Sequence, residues 1–246
     1  MTRKTLIVFS LMLMALLCAA SLVSGQDVDI IEYGESVTGE LTDREFEIAY
    51  EFTGSEGDVI VIYMAAVDTL GDLNRPELLL LNSENDVVAD TADAFTIGEI
   101  LLAAELETED TYTILATRQD GRAGDSVGEF TLDLIKLPVL ELDKEVSETI
   151  SSEDSDQYYA IRSDSSTLVL SYLKLSGTFS PMISINVIND EAGLDEVVVL
   201  QGSALERAAV NVPSEPGLYI VTVGEAPFDF NFNEVEAEYE LMLVED

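Results

Sequence analysis

The chain has 246 residues, with 49 acidic against 11 basic side chains, one cysteine, no histidine and no tryptophan. A formal charge of −38 excludes nucleic acid and anionic membrane surfaces as partners, because both require clustered Lys and Arg. Apolar residues nevertheless make up 47%, so the chain is no disordered acidic tail and can bury a core.

The first predicted element is an export signal over residues 1–25. Arg3 and Lys4 precede an apolar run at 5–17, and the small residues Cys18, Ala19, Ala20 and Ser21 follow. That order of charge, apolar segment and small-residue zone is what a signal peptidase reads. Cleavage fits after Ala20 or after Gly25, and Gln26, which opens the polar part, favours Gly25. The run approaches the length of a membrane anchor, but the small residues flanking it favour cleavage. Leu17 before Cys18 argues against lipid attachment. Residues 1–25 hold two of the 11 bases and none of the 49 acids, so the remainder carries −40. It also lacks cysteine, which excludes disulfides although the compartment would permit them. The expected location is secreted, extracellular or at the cell envelope, with no membrane contact after cleavage.

The rest of the chain reads as short strands. VIVIYM at 59–64, LLLL at 78–81, TYTILAT at 111–117 and FTLDL at 130–134 are rich in β-branched, aliphatic and aromatic residues. Turn-forming clusters at 54–58, 82–86 and 120–124 bound them. This spacing predicts an antiparallel sandwich or barrel. Phe130, Leu132 and Leu134 alternate as a strand with one buried face does. Residues 99–106 also fit a helical turn, a weaker reading.

The second half repeats the first. At an offset of 109, Val37 falls on Val146, Leu41 on Ile150, Tyr50 on Tyr159, Phe52 on Ile161, Val59 on Leu168, Val61 on Leu170 and Tyr63 on Tyr172. Phe130, Leu132 and Leu134 fall likewise on Tyr239, Leu241 and Leu243. Tyr112 matches Tyr219 at 107, and Pro76 matches Pro181 at 105, drifts of the kind that loop-length changes produce. The predicted fold is all-β: two tandem antiparallel β-sandwich, jelly-roll-like domains at 26–136 and 137–246. Leu137, Pro138, Val139 and Leu140 form a short join that proline stiffens, so the two units are expected in contact.

Tyr33-Gly-Glu-Ser-Val-Thr-Gly39, Tyr50-Glu-Phe52, the Gly57-Asp58 turn, the Leu79 to Asp86 strand and turn, Tyr112 to Ile114 and Gly128 to Leu132 together resemble the bacterial pre-peptidase C-terminal domain. The resemblance covers residues 30–135 and, more weakly, 139–245. In the second repeat Gly34 and Gly39 become Asp143 and Glu148, and Gly57-Asp58 becomes Ser166-Thr167. The resemblance implies jelly-roll sandwiches that accompany secreted proteases without being catalytic, some relatives binding calcium or matrix polymers.

Catalysis finds little footing. Without histidine or a mature cysteine, Ser-His and Cys-His centres are impossible and zinc lacks its usual ligands. Lys136, Lys144 and Lys174 sit in no Ser-Lys motif. Among 49 acids some carboxylate pair always lies at glycosidase spacing, so a cryptic hydrolase gains no support. Calcium, which takes oxygen ligands from carboxylates and carbonyls, has candidate loops at Asp86, Asp90 and Asp93, and at Asp190, Glu191, Asp195 and Glu196. Neither spacing is that of an EF-hand. The tyrosines at 50, 63, 112, 159, 172, 219 and 239, with Phe130, are expected in the core. Phe228, Phe230 and Phe232 alternate with polar residues, as one buried strand face or as a face for a partner. The expected function is a non-catalytic accessory or binding module for a matrix, cell-wall or protein partner. The alternative is a structural spacer of the envelope.

Overall fold

The computed structural model describes residues 28–68, 73–92, 94, 97–151, 156–164, 167–177, 181–189, 192–201, 206–225 and 236–245. The predicted signal lies outside them. Seventeen strands and one 3-10 turn, Gly121–Ala123, account for their regular structure. The strands are β1 (Asp29–Ile30), β2 (Ser36–Leu41), β3 (Glu47–Gly54), β4 (Val59–Ala66), β5 (Pro76–Leu81), β6 (Val87–Asp90), β7 (Glu99–Glu105), β8 (Asp110–Arg118) and β9 (Gly128–Lys136). They continue as β10 (Glu145–Ser151), β11 (Gln157–Ser163), β12 (Leu168–Lys174), β13 (Pro181–Ile188), β14 (Leu194–Gln201), β15 (Arg207–Asn211), β16 (Gly217–Glu225) and β17 (Glu236–Glu245). Residues 99–105, which also fitted a helical turn, form β7, whose Ile100, Leu102 and Ala104 face one side as the period-2 pattern requires.

These strands build four sheets, ordered β1-β3-β8-β5-β6, β2-β9-β4-β7, β11-β16-β13-β14 and β10-β17-β12-β15. Strands β2 to β9 and β10 to β17 therefore occupy the same places twice, in the order of a jelly roll. Finer details repeat too. A register shift falls between Leu80 and Leu81 in β5 and between Ile185 and Asn186 in β13. Val37 opposes Leu132 as Val146 opposes Leu241, and Phe52 opposes Tyr112 as Ile161 opposes Tyr219. In the first sandwich the N–H of Ile31 reaches the carbonyl of Glu51, and in the second that of Leu140 reaches Ala160. The join at 137–140 is thus no free linker, since Val139 bridges Ala160 in parallel.

Each sandwich closes on its own apolar cluster. Phe52, Ile62, Leu80, Tyr112 and Phe130 lie in the first, and Tyr159, Leu170, Ile185, Tyr219 and Tyr239 in the second. In the second, Tyr172 stacks on Tyr239 at 5.9 Å, and the hydroxyls of Tyr159 and Tyr239 meet at 2.6 Å.

A third cluster lies between the sandwiches. Val59 and Val61 of β4, Ala103 of β7 and Leu137 pack there against Ala160 of β11 and Ile220 of β16. Strand β4 is consequently buried on both faces, which is why residues 59–62 are apolar without alternation. Four layers stack in series. One edge of the join is clamped by Arg162, which pairs with Glu105 at 2.5 Å and donates to the Gly57 carbonyl at 2.9 Å. The carbonyl of Ala192, in the turn between β13 and β14, accepts from the Ala103 N–H of edge strand β7 at 2.6 Å, so the second sandwich covers a free edge of the first.

The double burial also corrects the repeat alignment. Ile62 opposes Leu134, and Leu170 opposes Leu243, the counterpart of Leu134. The offset across β4 is therefore 108, and Ile60, Ile62 and Met64 correspond to Leu168, Leu170 and Tyr172. Val59, Val61 and Tyr63 point the other way. Of the eight aromatics expected in the core, Tyr63 is the exception: it turns outward and donates to Glu99 at 2.5 Å.

Candidate functional site

At one end of the first sandwich, β2, β9 and the segments at 42–43, 67–68 and 73 enclose an open groove of about 550 Å³. Its apolar lining is Leu41, Leu73, Val67 and Val127, and its charged lining is Glu40, Asp43, Asp68 and Glu129. Leu41 and Leu73 are buried parts of the core, whereas Val67 is 55% exposed. Gly128 lies against Leu73 with φ +146, leaving that wall bare of a side chain.

The electrostatics of the groove are one-sided. Glu40 and Glu129 are direct cross-strand partners of β2 and β9, an arrangement that destabilises a sheet when the charges are alike. Behind the groove Arg118, 1% exposed, donates to the carbonyls of Gly121 at 2.8 Å and Ser126 at 3.1 Å. Its guanidinium also lies 3.7 Å from Asp43. Ser126 in turn accepts from the N–H groups of Asn74 and Arg75 at 2.9 and 3.1 Å. Arg118 thus braces the wall of the groove from inside the protein.

A second polar centre lies in the turn before β4. Asp58 accepts from the Tyr33 hydroxyl at 3.0 Å and the Ser55 N–H at 3.1 Å, and pairs with Lys136 at 2.7 Å. Burial alone would raise the Asp58 carboxyl, but these hydrogen bonds and the Lys136 charge hold it below the usual carboxylate range. Tyr33 is raised, mainly by burial and then by its bond to Asp58. Every partner here is internal to the fold, so the centre acts as a structural clamp.

The calcium candidates lie about β6, on β14 or outside the described residues. Asp86 and Asp90 flank or end β6, and four residues of extended chain separate them by roughly 13 Å. Asp90 accepts from the Ala92 N–H at 3.2 Å, closing a local turn. Asp93, Asp190 and Glu191 lie outside the described residues, as do Phe228, Phe230 and Phe232. Asp195 accepts from Asn189 at 2.9 Å, and its neighbour Glu196 is exposed on β14. Among the described residues no three Asp, Glu, Cys or His side chains converge as a metal site.

The groove residues went unnoticed in the sequence because Glu40 and Glu129 are 89 positions apart. Strand pairing alone brings them together. Fixing the β2–β9 register through the repeat would have revealed two acids facing each other.

No protein-family model matches the chain, and no curated protein does. Among solved structures it is similar to the pre-peptidase C-terminal domain of a collagenase from Bacillus anthracis, at 13% identity and a TM-score of 0.34, covering 45% of this chain and 96% of that one. It is also similar to the tandem CBM51 modules of a family 98 glycoside hydrolase from Streptococcus pneumoniae, at 9% identity and a TM-score of 0.27, covering 86% and 85%. The tandem CBM22 domains of a Paenibacillus barcinonensis protein match at 9% identity and 0.25, covering 80% and 82%. Likeness of this size carries no functional argument.

Proposed function

We propose that the chain is an exported, non-catalytic binding module built of two units, 26–136 and 137–246, each a divergent relative of the pre-peptidase C-terminal domain. The observation that carries the reading is the groove with its apolar floor and four carboxylates. An acid-rimmed apolar groove suits an extracellular protein segment bearing Lys or Arg beside an apolar side chain. Such a partner would relieve the repulsion between Glu40 and Glu129.

The test is titration of the mature protein with short labelled peptides of one apolar core and basic, neutral or acidic flanks. Saturable binding of the basic peptide alone is expected, weakened about tenfold or more in a Glu40→Gln/Glu129→Gln variant. An equal loss in a control that removes Glu84 and Asp86 charges would reduce the effect to bulk acidity and sink the groove. Saturable binding to a cell-wall or matrix polysaccharide instead would redirect the reading to that partner. No cofactor is needed. Calcium at Asp86, Asp90 and Asp93 is supported if it raises the melting temperature beyond matched magnesium, and removed if the two ions act alike.

The buried layer between the sandwiches favours a second reading, a stiff spacer of the cell envelope. That reading prevails if no panel member binds saturably.

A further inference from the structure

The groove of the first sandwich has a counterpart in the second. Strands β10 and β17, with Leu175 just beyond β12, enclose an open cavity of about 360 Å³ lined by Ser147, Glu148, Thr149, Leu175 and Glu238. Strand register puts it at the same place in the fold. Thr149 opposes Glu238 across β10 and β17 as Glu40 opposes Glu129 across β2 and β9. The Leu175 N–H donates to the Glu238 carbonyl at 2.8 Å, and the Val67 N–H donates to the Glu129 carbonyl at 3.0 Å. Leu175 and Val67 are therefore one position, present twice.

Neither side chain at that position belongs to a core. Leu175 is 49% exposed and Val67 55%. The two copies have diverged along this edge, since Gly39 and Glu40 of β2 correspond to Glu148 and Thr149 of β10. Folding asks for nothing apolar on a wet surface, yet both copies set a branched aliphatic side chain there, with a glutamate across the sheet from it. A single exposed aliphatic is ordinary. The same one at matched cavities is an apolar contact surface used twice.

The charges are kept in kind and reduced in number. Thr149 stands where Glu40 does, and Ser176, which donates to Glu238 at 3.2 Å, stands where Asp68 does. Glu148 and Glu238 remain, and no base lines the cavity among the described residues. The second groove thus attracts a cation beside an apolar group, with two carboxylates instead of four.

We propose that the chain is bivalent: each sandwich takes one copy of the same apolar-and-basic protein segment, the second groove more weakly, so that the chain grips an extracellular partner in which that segment recurs. This rests on the reading of the first groove as a peptide site. The sheets that hold the grooves are the second and fourth of the stacked layers. Roughly 20 Å of stacking separates them, too far for one apolar–basic pair to fill both. Once one groove is filled, the other meets its segment on the same partner molecule, which strengthens the hold without any new contact.

The test titrates the full mature chain with a basic-flanked, apolar-cored peptide bearing a photoreactive group, and maps the adducts by mass spectrometry. Two peptides per chain are expected, with adducts at residues 65–68 and 173–177. Leu175→Ser/Glu238→Gln, both at exposed positions, should lower the count to one and remove the adducts at 173–177. Far-ultraviolet dichroism verifies that the variant is folded, and the adducts on the native chain decide the matter without it. One peptide per chain, attached at 65–68 only, overturns bivalence while the first groove stands. Adducts scattered over the acidic surface overturn it too. An absence of saturable binding overturns both readings together.

Discussion

Asp143 holds the entry turn of the second sandwich at φ +58, in the place that Gly34 holds in the first at φ +85. The hydrogen bonding is the same: Gly34 donates to the Leu134 carbonyl and Asp143 to the Leu243 carbonyl, each at 2.8 Å. Aspartate tolerates the left-handed region better than most residues because of its short polar side chain. Replacing Asp143 with Val should lower stability by about 1–2 kcal/mol, whereas Asp143→Gly should change it little. Urea unfolding of the two variants measures the difference.

The buried Ser163 Oγ has no hydrogen-bond partner. Its counterpart Gly54 has no room for a side chain, because a Cβ there would lie 2.3 Å from Leu106. Ser163→Ala should therefore leave stability unchanged or raise it by about 1 kcal/mol, since an unsatisfied hydroxyl is lost. Gly54→Ala should cost about 1–3 kcal/mol through overpacking. Opposite signs at matched positions are the outcome to look for in thermal unfolding.

The fold holds Asp58 in its ionised form through Tyr33, the Ser55 N–H and Lys136. Its folded value is depressed, so its contribution is present above the unfolded value of about 4 and is lost as pH falls through the folded one. Asp58→Asn should cost about 1–3 kcal/mol at neutral pH and flatten the acid side of the stability profile. A profile with the native slope in the variant would show that other acids govern that limb.

Ile220 is wholly buried between the sandwiches. The native protein should melt in one calorimetric transition, and Ile220→Asp should split it into two by burying an unpaired charge in the shared layer. Two transitions in the native chain would mean that the sandwiches unfold independently.

A net charge near −40 after processing repels itself through the fold. The melting temperature should rise between low and moderate sodium chloride as screening shortens the reach of that repulsion. A flat response would place the charges too far apart to matter.

The strand pattern and the twofold repeat were legible in the sequence because faces alternate wherever one side of a strand is wet, as in Phe130, Leu132 and Leu134. Legibility failed where both sides are buried. In β4 the run from Val59 to Ile62 carries no parity, so a constant offset pairs Tyr63 with the core residue Tyr172, whereas strand pairing matches it to Ser171. The groove was hidden for another reason. Its acids come from β2, β9 and two loops, and only pairing across the sheet unites them. Asp86 and Asp90 stand at the two ends of β6, and Asp93, the third of that set, lies outside the described residues.

Because Val59 and Val61 find cover only in the second sandwich, the order of synthesis has a cost. When β9 has emerged, the first unit can close its own core but still shows water a bare aliphatic sheet. That face waits while about another hundred residues are made, some 5–20 s at ordinary translation speeds. During this interval the nascent chain is at its stickiest, and its dense like charges are what keep neighbouring copies from meeting there.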